Sequence, residues 1–166
     1  QARVYGNRTA LRYRDYSVGI WKDISWNEFS SRVRELSNAM LSIGVEEQEN
    51  MAVFSQNMPE VLMVDFAAYA IRAVTIPMYA TSSEMQVKYI VSDASIRYIF
   101  VGEQEQYDIA FRVLKLGSSL EKLIIFDRNV QRNPEDNISI YLDDFRKGHD
   151  NRYEEEIERS TKAVQS

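Results

Sequence analysis

The stretch that decides the fold is "MAVFSQNMPEVLMVDFAAYAIRAVTI", residues 51–76, in which a helical segment separates two apolar runs. The runs "MAVF" and "AVTI" are continuous rather than alternating, as expected for parallel strands that are covered on both faces. The segment 59–71 between them is apolar almost all round, which predicts a buried helix. Residues 51–76 therefore predict a β-α-β unit with parallel strands.

The same pattern continues along the chain. Two further apolar runs, "YIFV" at 98–101 and "LIIF" at 123–126, follow helical segments at 83–94 and about 104–116. The runs recur every ~24 residues, about the length of a strand, a helix and two short loops. Because such crossovers are right-handed, we expect an α/β fold with a doubly wound, mainly parallel sheet and flanking helices.

The chain before this repeat predicts a short N-terminal β-hairpin within region 1–26. Leu11 and Tyr13 alternate with two arginines, which is the period of a half-solvated strand, and Gly19 supplies turn chemistry before a second strand. A helix should then begin at a capping box formed by Ser25 and Glu28. The βα repeat core covers 27–126, and 127–166 holds a polar connector, a short strand "ISIYL" and a charged helix.

Composition narrows the function classes. The chain has 166 residues, a formal net charge of −5 and no cysteine. An acidic balance argues against nucleic acid, and the lack of cysteine fits a reducing, cytoplasmic setting. No run reaches the ~18 apolar residues of a membrane span, so we expect no transmembrane segment, while peripheral membrane association stays open.

The hydroxyl-rich stretch "IPMYATSSEM", residues 76–85, has two interpretations. Hydroxyls between a strand and a helix could cradle a phosphate, but no glycine lies between Gly44 and Gly102, and a phosphate loop needs close backbone approach. The spacing favours helix capping instead, either by Thr81 with Glu84 or by Ser83 with Gln86.

The segment "NMPE" at 57–60 raises a similar choice. Asn57 could cap the next helix, with Pro59 in its first turn and Glu60 near its positive end. Asn57 could instead point its amide into a cleft at the carboxyl end of the "MAVF" strand, where doubly wound sheets bind ligands. Capping is the expectation from residue chemistry.

The other titratable groups give no self-contained active site. His149 lies in "RKGHDN" without a partner at catalytic or metal-ligand spacing, and we interpret it as a solvated loop residue. The acidic runs 143–144 and 154–156 are interpreted as solvated helix faces rather than a metal site. Neither a G-x-G-x-x-G motif nor a P-loop occurs.

Taken as a series, the motifs resemble the beginning of the AMP-forming acyl-CoA synthetases, in the adenylate-forming superfamily. The segments that show this resemblance are "WKDISWNEF" at 21–29, "NMPE" at 57–60 and "AVTIPMYATSSE" at 73–84. The last segment is most similar to the long-chain fatty acid branch. The chain departs from the family at Gln48-Glu49, where Gly-Asp is usual, and at Arg72, where Gly is usual. Both are turn or packing positions.

The resemblance implies a parent enzyme that joins a fatty acid to ATP and then transfers the acyl group to coenzyme A, with Mg²⁺ on the phosphates. The family's catalytic motifs do not occur here, so we expect an inactive N-terminal fragment of a larger synthetase domain, with no catalytic, metal or cofactor-binding residue of its own. Family-signature residues expected near the cleft are Asn57, Pro77, Tyr79 and Thr81.

Other interpretations stay open. The chain could be a free-standing α/β nucleotide-binding or interaction domain, or part of an adenylate-forming ligase with an aryl or amino acid substrate. A truncated sheet would expose an edge strand or apolar surface, so self-association is expected and light scattering would detect it.

Overall fold

The computed structural model describes residues 1–15, 18–148 and 153–163. The strands are β1 (Thr9–Asp15), β2 (Ile20–Ser25), β3 (Asn50–Phe54), β4 (Val74–Met78), β5 (Tyr98–Val101), β6 (Lys122–Ile125) and β7 (Ile140–Tyr141). The helices are α1 (Ala2–Tyr5), α2 (Trp26–Ser42), α3 (Pro59–Ala70), α4 (Glu84–Asp93), α5 (Gln104–Lys115), α6 (Leu142–Lys147) and α7 (Glu154–Ala163). The short helices α1 and α6 were not expected from the sequence.

Strands β3 to β7 form one parallel sheet in the order β4-β3-β5-β6-β7. Strands β1 and β2 form a separate antiparallel hairpin. The chain leaves β3 toward one edge and, after β4, crosses to the other side of β3, so the order reverses between β3 and β5. The predicted α/β architecture, with its parallel sheet and N-terminal hairpin, is confirmed.

Alternate residues of each central strand feed two separate cores. In β3, Met51 and Val53 join a cluster with α2 and α3, whereas Ala52 and Phe54 join a cluster with α4 and α5. Strands β5 and β6 divide their side chains in the same way. Continuous apolar runs follow from this arrangement, because a strand with helices on both faces has no solvent side.

Strand β4 differs from the expectation that all four strands are covered on both faces. Only Met78 in β4 is buried, and Val74 and Pro77 are exposed. The reason is position: β4 pairs with β3 alone and forms the edge of the described sheet. Pro77 suits that place, since a proline lacks the N–H that a further strand would need.

Helix α3 also corrects the sequence interpretation. Its buried side consists of Met63, Val64, Ala67 and Ala68, but Phe66 and Tyr69 on the other side are 49% and 58% exposed. The helix is therefore not buried all round. Its apolar composition could not reveal this, because an all-apolar helix carries no periodic signal that distinguishes one face from another.

At the start of α2, only one of the two hydrogen bonds of the predicted capping box is present. The Ser25 hydroxyl accepts a hydrogen bond from the Glu28 amide at 3.2 Å, but the Glu28 carboxylate pairs with Arg32 one turn later. The helix ends as expected, with Gly44 in the left-handed conformation (φ +86°). That conformation is strained for residues with a Cβ.

At the amino edge of the sheet, Gln48 and Arg72 are two of the three described non-glycine residues in left-handed conformations; the third is Ser95, before β5. Gln48 has φ +65° and Arg72 has φ +63°. The two turns touch, because the Gln48 amide donates to the Arg72 carbonyl at 2.8 Å. These are the two places where the family usually has glycine, so the departures fall where glycine would be least strained.

The acidic runs of the tail serve the fold where the structure describes them. Asp143 pairs with Arg146, and Asp144 pairs with Arg128 at 2.5 Å. Glu154 accepts from Asn38 and pairs with Arg34. His149 lies outside the described residues. None of the helices in the described part of the chain is both long and apolar enough to cross a membrane.

Candidate functional site

The carboxyl edge of the parallel sheet is the candidate site, because ligands of open α/β sheets bind where the strand order reverses. Here the loops after β3, β4 and β5 meet, and the β1-β2 hairpin lies beside them. Of the cavities that the described residues form at this edge, two lie on either side of the loop that follows β3. The first lies toward the edge strand β4 and the second toward β5 and β6.

The smaller cavity has a volume of about 490 Å³. It is lined by apolar and neutral polar residues, namely Val53, Ser55, Gln56, Asn57, Val61, Pro77, Met78, Tyr79 and Ala80. Three of the four family-signature residues thus share one cavity. The fourth, Thr81, lies in the turn just after Ala80 and is exposed.

Asn57 does not cap α3. The capping position belongs to Met58, which makes no side-chain cap bond, and Pro59 takes the first helical position as expected. Asn57 is exposed and lines both cavities. The alternative in which its amide faces the cleft therefore describes its position better than capping does.

The larger cavity, about 720 Å³, lies between the hairpin and the loops after β3, β5 and β6. Its lining includes Tyr13 and Trp21 from the hairpin, Glu60 from α3 and Phe126 after β6. The pocket mixes aromatic walls with carboxylates and two arginines, Arg14 and Arg128. A volume in this range suits a small organic ligand.

Gly102 allows the loops after β3 and β5 to approach each other. A Cβ at this position would lie 2.5 Å from Ser55 Oγ and 3.0 Å from Gln56 Oε1. Gln56 Nε2 also donates to Glu103 at 2.8 Å across the same gap. Sequence reasoning did not assign a role to Gly102 or Gln56, although a glycine directly after the run "YIFV" was an available signal.

Glu60 is a poorly compensated acid at the start of α3. Its Oε2 atom is buried and has no hydrogen-bond partner among the described residues. Burial raises the pKa of Glu60; a hydrogen bond from its own backbone amide and the Arg32 charge oppose this, while Asp143 and Asp127 raise the pKa slightly further. A carboxyl in such a place resists ionisation, because desolvation penalises its charged form.

The stretch "TSSEM" forms a turn and a helix cap, as its lack of glycine predicted. Of the two possible capping boxes, the structure has that of Ser83 and Gln86: the Gln86 amide donates to Ser83 Oγ at 3.4 Å, and the Ser83 amide donates to Gln86 Oε1 at 2.8 Å. Thr81 therefore does not start the helix.

The helix N-termini at this edge do not fit the phosphates of ATP. Each helix N-terminus facing the edge carries an acid, Glu60 on α3, Glu84 on α4 and Glu103 at the cap of α5. These carboxylates already occupy the positive ends of the helix dipoles, where a phosphate would otherwise bind. Within the described ranges, no cluster of three or more metal-ligating side chains could hold Mg²⁺.

The family to which this fold and edge belong is shown by sequence comparison. A model of the AMP-binding enzyme family matches residues 1–163. The chain therefore belongs to the AMP-binding enzymes, the family of adenylate-forming ligases. The sequence resemblance is confirmed at this level.

Individual relatives are acid–CoA ligases. The chain is 33% identical over 88 residues to FadD15, a long-chain fatty acid–CoA ligase of Mycobacterium bovis. The match covers 53% of this chain and 15% of the relative. It is 26% identical over 113 residues to a crotonobetaine/carnitine–CoA ligase of Citrobacter koseri, covering 68% of this chain and 22% of the relative.

A solved structure of another ligase shares the fold. The crystal structure of the anthranilate–CoA ligase AuaEII, in complex with anthranoyl-AMP, superposes with a TM-score of 0.74 at 17% identity. The match covers 89% of this chain and 26% of that chain. The chain thus spans about a quarter or less of the proteins it matches.

Proposed function

We propose that residues 1–166 are the N-terminal part of the AMP-binding domain of a long-chain fatty acid–CoA ligase. The observation that supports this most is the 33% identity to the mycobacterial long-chain ligase. The stretch "AVTIPMYATSSE", with Tyr79 and Thr81, favours the same branch.

The parent enzyme would act in two steps. The fatty acid carboxylate attacks the α-phosphorus of ATP, forming an acyl-adenylate and releasing pyrophosphate. The thiol of coenzyme A, after losing its proton, then attacks the acyl carbon and AMP leaves. Mg²⁺ would supply charge stabilisation on the phosphates. The acids at the carboxyl edge make this chain unsuited to the phosphate role, so we assign no catalytic residue to it.

Within that enzyme, we assign this chain a scaffolding and cleft-lining role. Asn57, Pro77 and Tyr79 border the smaller cavity, and Thr81 lies in the adjoining turn. Neutral side chains of this kind can contact an uncharged part of a substrate without the desolvation cost of a buried charge. The isolated chain is expected to be inactive.

A second candidate is an adenylate-forming ligase with a different acid substrate. The match to the crotonobetaine/carnitine–CoA ligase extends over more of this chain than the match to the long-chain ligase, 68% against 53%. The anthranilate–CoA ligase shares the fold. The substrate must therefore be decided by assay.

The decisive test is enzymatic and uses the product of the whole gene. Acid-dependent ATP–pyrophosphate exchange would be compared with palmitate, crotonobetaine and anthranilate as the acid. Exchange with palmitate alone supports the proposal, and preference for either other acid supports the second candidate. If the coding sequence after Ser166 lacks a Ser/Thr/Gly-rich loop with Pro-Lys within the next ~60 residues, a few βα units, the ligase assignment fails.

A second experiment separates a free-standing binding domain from a ligase part. The 166-residue chain would be titrated with ATP, a flavin nucleotide and acyl-CoA by calorimetry. Tight, stoichiometric binding of one of them would favour the free-standing domain. An incomplete ligase site should bind all three weakly, since it lacks most of the groups that hold the substrate.

A further inference from the structure

The loop between β4 and α4, residues 79–83, is held at both ends. Met78 before it pairs with Phe54 in the sheet, and Ser83 after it belongs to the capping box of α4. Inside the loop, the buried Ser82 donates its amide to the Tyr79 carbonyl at 2.9 Å. The Tyr79 side chain itself is 87% exposed. A constrained backbone thus presents a free aromatic side chain beside the smaller cavity.

A third restraint comes from a different helix. Gln106, in the first turn of α5, is only 1% exposed. Its Nε2 donates to the Ala80 carbonyl at 2.9 Å, and its Oε1 accepts from the Glu103 amide at 3.1 Å. One side chain therefore caps α5 and at the same time holds the middle of the β4–α4 loop.

What Gln106 adds, beyond filling space in the core, is a hydrogen bond that fixes the position of the Ala80 carbonyl. A buried primary amide costs stability unless its groups are hydrogen-bonded, and here both ends have partners. A leucine could fill a similar volume, but it would release the Ala80 carbonyl. An ion pair between α4 and α5, from Arg112 Nε to Glu84 Oε2 at 2.7 Å, is between exposed groups and should restrain the loop less.

We propose that Gln106 is the positioning residue of the β4–α4 loop: it fixes the backbone at Ala80 and so sets where Tyr79 stands against the smaller cavity. The inference rests on the proposed function in one respect: it takes the carboxyl edge as the ligand-binding edge. Gln106 reaches the cavity through Ala80 and Tyr79, not by direct contact.

Amide hydrogen exchange measured by NMR on the 166-residue chain tests this assignment. In Gln106→Leu and in Gln106→Glu, which keeps the acceptor but loses the donor at neutral pH, exchange of the Ser82 amide should accelerate at least tenfold. Exchange of the Ile99 amide in β5 should change only as far as global stability changes. The ring signals of Tyr79 should shift in both variants.

Gln104→Leu is the matched control, because Gln104 is a glutamine of the same helix whose amide bonds to Gln131 and Asp108 instead. It should leave Ser82 exchange unchanged. The proposal is overturned if Ser82 and Ile99 accelerate in parallel in the Gln106 variants, or if Gln104→Leu opens the loop equally. Since no ligase activity is measured, this outcome is separate from that of the pyrophosphate-exchange assay.

Discussion

The two edges of the parallel sheet differ in how their polar side chains are paired. At the amino edge, Arg97 donates to both Glu49 and Glu121, at 3.0 and 2.9 Å, and stacks against the Tyr98 ring. At the carboxyl edge, two buried acceptors, Gln56 Oε1 and Glu60 Oε2, find no hydrogen-bond partner within the described ranges. Among the described residues, Arg97 at the amino edge thus has two carboxylate partners, whereas two buried acceptors at the carboxyl edge have none; a third unpaired buried atom, Ser139 Oγ, precedes β7.

The difference supports the proposal that the carboxyl edge is the ligand-binding edge. Native proteins pair nearly all buried polar groups, and the exceptions concentrate where function requires them. The strand order independently selects the same carboxyl edge. Three sets of variants test how far this division holds.

The largest effect is expected at Asp136, a well-paired carboxylate of the connector near the carboxyl edge. It accepts from the Tyr107 hydroxyl at 2.7 Å and from the amides of Ile138 and Ser139 at 3.0 and 2.9 Å. Asp136→Ala leaves these donors unpaired and should lower the free energy of unfolding by ~3 kcal/mol. Urea denaturation measures the change.

The neighbouring Glu135→Ala is the control, since Glu135 pairs with Lys115 between exposed side chains and should cost less than ~0.5 kcal/mol. Burial opposes ionisation of Asp136, but hydrogen bonds from Ser139, Tyr107 and Ile138 outweigh it and lower its pKa. Its stabilisation is therefore present above the unfolded value near ~3.9 and is lost as pH falls through the folded pKa. A pH-independent loss in Asp136→Ala would contradict this.

A smaller change in the free energy of unfolding, a gain rather than a loss, is expected from a substitution at Glu60. Burial raises the pKa of this carboxyl, so its contribution is fully present below the unfolded value near ~4.3 and is lost as pH rises through the folded pKa. Glu60→Gln removes a charge that is partly desolvated and should stabilise the chain by ~1 kcal/mol at pH 7. Thermal denaturation at pH 7 and at pH 3.5 should show the gain only at the higher pH.

Glu105→Gln is a matched control, because Glu105 holds the second position of α5 as Glu60 does in α3, but is exposed. Removing its charge should cost a few tenths of a kcal/mol through the lost dipole interaction. If Glu60→Gln destabilises as much as Glu105→Gln, the carboxyl edge is better satisfied than the geometry indicates.

The smallest effect is expected at the amino edge, from Gln48→Gly and Arg72→Gly. Left-handed backbone costs a residue with a Cβ ~1 kcal/mol, and the greater freedom of glycine in the unfolded chain offsets part of that gain. Each variant should stabilise by ~0.5 kcal/mol, less at Arg72 because its pair with Glu47 is lost. Calorimetry that shows destabilisation in both would mean that the turns tolerate side chains without strain.

Several features of the fold could be predicted because their signals are local. The runs "MAVF", "YIFV" and "LIIF" became central strands, and Ser83 with Gln86 became a capping box, since both depend on residues close in sequence. The cap at Asn57 was wrong because Met58 took that position. The covered faces expected of β4 and α3 were also wrong, since apolar composition does not say whether a neighbour exists.

The sequence by itself determined the class of sheet, the family and the absence of a glycine-rich phosphate loop from the stretch 76–85, because strand periodicity, motif order and glycine content are properties of the chain. Only the tertiary structure decided that β4 lies at an edge, that Gln106 reaches the Ala80 carbonyl and that Glu60 Oε2 is buried without a hydrogen-bond partner among the described residues. Those properties depend on contacts between segments far apart in sequence, and only packing brings such segments together.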